Sequence, residues 1–247
     1  MSGRMLIPSI EKRLGALIES SRRNTLEYGA GNQSGNRKLT ITISREFGCE
    51  AYPMAECLQN LMQKKTGDVW AIMDKGLLEE VARRNDLSEK ILKNLGAKAG
   101  FLDEMLATFA PNWRTEKDHF RLLSHHIISL ANAGNVILVG RGSANITQSM
   151  KNCYHFKIFA SMEFKIHSIA QRMELSDEEA KKLIIKKQQE RNMFIKAFLN
   201  QDGKDPSLYH IIFNNDKNSA EKIASTIMEY LVGGIINKGE QSSCGQS

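Results

Sequence analysis

The hydrophobic and polar positions along this chain alternate between two periods. Leu39 to Ser44 (LTITIS) runs apolar-polar with β-branched side chains, which predicts a strand. Ala51 to Lys65 follows at helical spacing, then a short apolar run, Val69 to Met73, and a second helical stretch from Lys75 to Arg84. Helices are predicted over Ser88 to Thr108 and Glu116 to Ala133, parted by Pro111. Val136 to Val139 is continuously apolar, as in strands buried on both faces. Tyr154 to Ala160 and His210 to Asn214 complete five candidate strands, with helices at Met162 to Met173, Asp177 to Leu199 and Ser219 to Leu231. Strand-helix alternation of this length predicts an α/β fold with a parallel sheet and helices on both faces.

The ends differ. Ile10 to Ser21 has amphipathic helical spacing, and the Gly-, Asn- and Ser-rich stretch EYGAGNQSGNRK after it reads as a linker. The expected organisation is therefore an N-terminal helix and linker (1–37), a folded domain (38–232) and a flexible tail (233–247).

Composition narrows the function classes. The chain has 247 residues, and no apolar run approaches the ~18 residues a membrane span needs. No secretory h-region opens it, and its four cysteines are scattered without a CxxC pair, so a cytoplasmic protein with reduced thiols and no membrane association is expected. The net charge of +6 sits largely in the first 38 residues and around Lys181 to Arg191. Without aromatic stacking platforms or a binding motif this makes nucleic acid an unfavoured partner. The weaker alternative is that the basic N-terminal helix engages an acidic partner or nucleic acid. Oligomeric state is left open.

Three segments carry candidate chemistry. Ile43 to Leu58 (ISREFGCEAYPMAECL) leads a strand through a short loop into a helix, where backbone N–H groups and the helix dipole attract phosphate. The loop has one glycine, Gly48, and neither the lysine nor the Ser/Thr of a P-loop. Taken alone, it favours a plain strand-to-helix turn. VILVGRGS sets Arg141 between two glycines at the carboxyl edge of a buried strand, a position suited to bidentate phosphate recognition. The alternative is a turn whose arginine faces water. Ser176 to Glu179 fits a capping box, so a helix starts near Asp177 and carries Lys187 and Arg191 on one face, with Arg172 before the cap. Such a helix pair could bring arginines over a reacting phosphate, or could be a charged surface helix. Asp74 fits either the ligand edge or a helix cap. His125 and His126 are adjacent on one helix and do not form a metal site, and Trp70 and Trp113 read as packing residues.

In this order TISREFG, MDKGLLEEVA, VILVGRGS and KDPSLYHIIFNN resemble the cytidylate kinase-like family, over about Leu39 to Leu231. The resemblance implies a P-loop kinase-like fold: a five-stranded parallel sheet, a helical insertion that binds the nucleoside monophosphate, and a lid. It implies phosphoryl transfer from ATP, bound with Mg²⁺, to CMP or dCMP. Ser44, Arg45, Glu46, Phe47, Gly48, Cys49, Glu50 and Ala51 would form the ATP phosphate loop. Arg141 and Asp74 would bind the acceptor, and Arg141, Arg172 and Arg191 would be the catalytic arginines. Asp205, Pro206, Tyr209 and Asn214 match the late segment and are assigned mainly to structure.

Two departures stand out. The family commonly continues Ser-Gly-Gly-Arg-Glu after TISREFG, where this chain has Cys49, Glu50, Ala51, Tyr52 and Pro53. In the lid, an Asp-Lys pair is replaced by Gln188 and Gln189. Arg45 is the expected compensating cation, and a catalytically impaired nucleotide-binding or regulatory protein is the alternative function.

Overall fold

A computed structural model describes residues 38–83, 116–200 and 205–233. The predicted helices at Ile10 to Ser21 and Ser88 to Thr108 lie outside the described residues, as does Trp113. Strand β1 (Thr40–Arg45) leads through the loop into α1 (Ala51–Thr66). Then come β2 (Ala71–Asp74), α2 (Lys75–Arg83), α3 (Glu116–Ala133) and β3 (Val136–Val139). A single-turn helix α4 (Ser143–Ile146) precedes β4 (Cys153–Phe159), α5 (Met162–Met173) and α6 (Asp177–Leu199). A 3-10 turn (Pro206–Leu208), β5 (Ile211–Asn214) and α7 (Ala220–Leu231) end the described chain.

The five strands form one parallel sheet in the order β2-β3-β1-β4-β5. β1 lies between β3 and β4, so the chain departs in opposite directions around its carboxyl end, the usual ligand position in open α/β sheets. Among the described residues the expected elements match the observed ones within two residues, and the single-turn α4 and the 3-10 turn were not expected. The short strand 69–73 is shifted to Ala71–Asp74, which makes Asp74 its last residue rather than the one after it.

Alternation in β1 has an unexpected cause: both of its faces are buried. Ile41 and Ile43 enter a core with Met54, Leu58 and Met62 of α1 and Ile223 and Ile227 of α7. Thr40 and Thr42 point to the other face, where α2 and α3 pack through Leu77, Leu78, Ile127 and Leu130 against β2 and β3. Their hydroxyls are satisfied there: Thr40 Oγ1 donates to the Ala131 carbonyl at 3.0 Å, and Thr42 Oγ1 bonds His155 Nδ1 at 2.8 Å. A hydroxyl buried without such a partner costs about 1–3 kcal/mol. Trp70 is fully buried, as a packing residue should be.

Burial, and after it the neighbouring His210, push His155 down to about 4. The unfolded chain takes up a proton near pH 6.5 that the folded protein refuses. The stability this imidazole permits is therefore complete above pH 6.5 and is lost as pH falls towards 4. His155→Asn, whose amide stands where Nδ1 stands, is expected to lose roughly 2 kcal/mol less than the wild type between pH 7 and 4.5. Urea denaturation at the two pH values measures the difference, and equal losses would refute it.

Candidate active site

At the carboxyl edge of the sheet, the loop after β1, the turn after β3, α5 and α6 enclose a cleft of about 580 Å³. Its wall includes Ser44, Arg45, Glu46 and Phe47 from the loop, Arg141 from the turn, and Arg191 from α6. A larger cavity, about 650 Å³, lies beside α4 and β4 near Lys151, His155 and Asp205; none of the predicted site residues lines it.

The turn after β3 holds three consecutive residues in the left-handed region: Gly140 (φ 81°), Arg141 (φ 57°) and Gly142 (φ 68°). Both glycines answer to close neighbours. A Cβ on Gly140 would lie 1.9 Å from Nη1 of Arg45, and one on Gly142 would lie 2.5 Å from Cδ1 of Leu199. The Arg141 guanidinium sits 5.0 Å from the ring centroid of Phe194 on α6, within cation–π range. Phe194 in turn belongs to an aromatic cluster with Phe120 and Phe198 that docks the end of α6 on α3.

Helix α6 begins as predicted, with the complete Ser176/Glu179 capping box. It reaches the loop at two points: Gln188 Oε1 accepts the Phe47 N–H at 3.2 Å, and Arg191 Nη1 donates to the Arg45 carbonyl. From α5, Arg172 Nη2 donates to the Gly48 carbonyl at 3.3 Å, while its Nε holds the Ser168 carbonyl. The Glu50 N–H, at the start of α1, donates to Asn215 Oδ1 at 2.9 Å. The loop is thus clasped from three sides by side chains distant in sequence.

Among the predicted site residues, Ser44, Arg45, Glu46, Phe47, Arg141 and Arg191 share the cleft wall. Gly48 and Cys49 are buried behind it, and Glu50 and Ala51 start α1. Arg172 grips the loop backbone without lining the cleft. Asp74 caps α2, its Oδ1 accepting the Leu77 N–H at 3.0 Å. The Arg45 guanidinium turns away from the loop to lie against Gly140, where Asp74 and Arg141 are its strongest charged neighbours. Reasoning from sequence missed Lys75, Lys157 and Lys165, which also line the cleft. The available signal for Lys165 was its stripe: Lys165, Ile169 and Arg172 fall on one face of α5 at i, i+4 and i+7.

The cations of this site are held in their charged form against a cost. Burial is the first cause lowering Arg45, Lys75, Arg141 and Arg172, and it pushes Arg191 down to about 9 with the help of the Arg45 guanidinium beside it. Guanidinium groups stay protonated at neutral pH, so an incoming anion removes that unfavourable energy. Among the described residues no group of three or more His, Cys, Asp or Glu side chains could hold a metal ion by itself.

A family model described as the cytidylate kinase-like family matches residues 40–217. The crystal structure of an uncharacterized protein from Eubacterium ventriosum ATCC 27560 superimposes with a TM-score of 0.60 at 20% identity, covering 79% of this chain and 99% of its own, and the likeness is one of fold. A shikimate kinase from Bacteroides thetaiotaomicron overlaps more loosely, with a TM-score of 0.42 at 13% identity over 79% of this chain and 98% of its own. None of the curated proteins matches the chain. Among the described residues, no helix is long and apolar enough to cross a membrane.

Proposed function

The chain belongs to the cytidylate kinase-like family, and from that premise we propose that it transfers the γ-phosphoryl group of ATP to CMP, dCMP or a closely related nucleoside monophosphate. The observation that carries this reading is the charge of the cleft. Arg45, Lys75, Arg141, Lys157, Lys165, Lys187 and Arg191 line it against two carboxylates, Glu46 and Glu190. That leaves five positive charges in excess. One phosphate monoester, about −1.5 to −2 at neutral pH, would leave most of them uncompensated, whereas a triphosphate facing a monophosphate matches them.

In the proposed reaction an oxygen of the acceptor phosphate attacks the γ-phosphorus. The bond from that phosphorus to the β–γ bridging oxygen breaks, and ADP leaves with the electron pair. Such transfer depends on alignment and on neutralising charge rather than on covalent help from the protein. Arg141, with Asp74 and Arg45 at its side, orients the acceptor. Arg191 neutralises charge on the moving group, and Arg172 fixes the loop that takes the donor phosphates. Mg²⁺ suits the donor set: Ser44 and Glu46 offer one hydroxyl and one carboxylate, fitting an ion that arrives on phosphate oxygens. Bound there it would neutralise charge on the β- and γ-phosphates.

A second reading, nucleotide binding without turnover, is favoured by one observation: side chains of Gln188 and Asn215 already take the Phe47 and Glu50 N–H groups. Isothermal titration with ATP and with CMP, followed by a coupled assay for ADP release, separates the two. Binding of both with formation of CDP is the expected result. Binding without CDP supports the second reading, and failure to bind either nucleotide overturns both.

A further inference from the structure

We propose that Lys165 of α5 supplies the cation that the phosphate loop lacks, leaving Glu46 to bind the terminal phosphates of a polyphosphate. The inference rests on the nucleotide reading above and gives its donor subsite a residue.

The loop and α5 meet at Gly48 and Lys165. Gly48 has φ 103°, and a Cβ there would lie 2.8 Å from Cβ and 2.9 Å from Cγ of Lys165. The glycine therefore makes room for a lysine stem, which runs past it into the cleft. At the end of that stem Nζ forms a 2.7 Å ion pair with Glu46 Oε2. The partners are unequally buried, the lysine side chain 11% exposed and the glutamate 31%. A lysine side chain with so little exposure is favoured by an anionic partner, while the more exposed carboxylate can return to water at small cost. A phosphate group, with more charge and more acceptor oxygens than a carboxylate, is the stronger partner.

The rest of the neighbourhood agrees. Arg45, the loop's own cation, has its guanidinium under Gly140, on the side of β3. Arg172 turns two of its donors to the Ser168 and Gly48 carbonyls and does not line the cleft. Lys165 reaches the cleft alongside the loop itself, past Gly48 to Glu46. It comes from a different element, so no motif in the loop records it.

Titration with inorganic tripolyphosphate and with ATP, both free of divalent metal, tests the assignment without involving any role of Glu46 towards Mg²⁺. Lys165→Met is expected to weaken both ligands about 10- to 100-fold, and Lys165→Arg to stay within about threefold of wild type. Glu46→Gln removes the competing carboxylate and is expected to tighten both about 3- to 10-fold. The opposite signs are the signature, since a purely structural ion pair would lose affinity, or nothing, from either side. Unchanged affinity in Lys165→Met, or unchanged or weakened affinity in Glu46→Gln, overturns the proposal; should Lys165→Met fail to fold, Glu46→Gln and Lys165→Arg still decide it. Wild-type protein that binds tripolyphosphate but neither ATP nor CMP overturns the kinase reading while the Lys165 assignment stands. Binding of none of them overturns both.

Discussion

Replacing Arg141 with glycine is expected to lower phosphoryl transfer by about 10²–10³-fold while leaving stability within about 1 kcal/mol of wild type. The two effects part because the residue is favourable for one property and unfavourable for the other. Its guanidinium is the one side chain that the Gly-Arg-Gly turn presents to the cleft, where the proposed acceptor would sit. Its backbone, at φ 57° between two other left-handed residues, is a conformation glycine adopts without penalty. The relief offsets the lost contact with Phe194, itself worth about 0.5–1 kcal/mol at an accessible site. Coupled-assay turnover and urea denaturation of the same preparation read both quantities. Unchanged turnover would remove Arg141 from the site, and a stability loss above about 2 kcal/mol would make it a structural residue.

The second large effect lies at the opposite edge of the sheet. Gly134→Ala is expected to destabilise the protein by about 3 kcal/mol, against about 1 kcal/mol for Gly67→Ala. Both glycines follow a helix in the left-handed conformation, at φ 72° and 74°. Both N–H groups close the last helical turn, onto Leu130 and Gln63 carbonyls. Their surroundings differ. A Cβ on Gly67 meets nothing within 4 Å, whereas on Gly134 it would lie 2.7 Å from the carbonyl oxygen and 2.8 Å from the carbonyl carbon of Lys38. Backbone cannot swing aside as a side-chain tip can. The next residue, Asn135, donates its N–H to the Leu39 carbonyl and accepts from Ala71, so displacement there disturbs the entry of β3 between β1 and β2. Equal losses in the two variants would show that conformation alone, without the Lys38 contact, sets the cost.

Elements with strong periodicity were legible in the sequence to their ends. Val136–Val139, Met162–Met173 and Asp177–Leu199 match their predicted limits, the last because the Ser176 cap marks its start. The one-turn α4 and the 3-10 turn at Pro206–Leu208 are too short to carry a period, and they were missed. Within the site, residue types and edge positions were readable, because a loop after a parallel strand must open at the carboxyl edge. Side-chain direction was not. Arg45 was expected to compensate for the loop's missing cation, and its guanidinium lies along the edge towards Asp74, into space left by Gly140. Lys165 went unnoticed in the sequence, since its meeting with Glu46 joins residues 119 apart in the chain.

Cys49 gives the loop one more property. It replaces a small loop residue common in the family with a thiol, which burial and the nearby Glu46 carboxylate push up to about 12. Thiolate is the form that peroxide, disulfides and alkylating reagents attack, and this environment disfavours it. Burial in the loop thus favours the unreactive thiol form of Cys49.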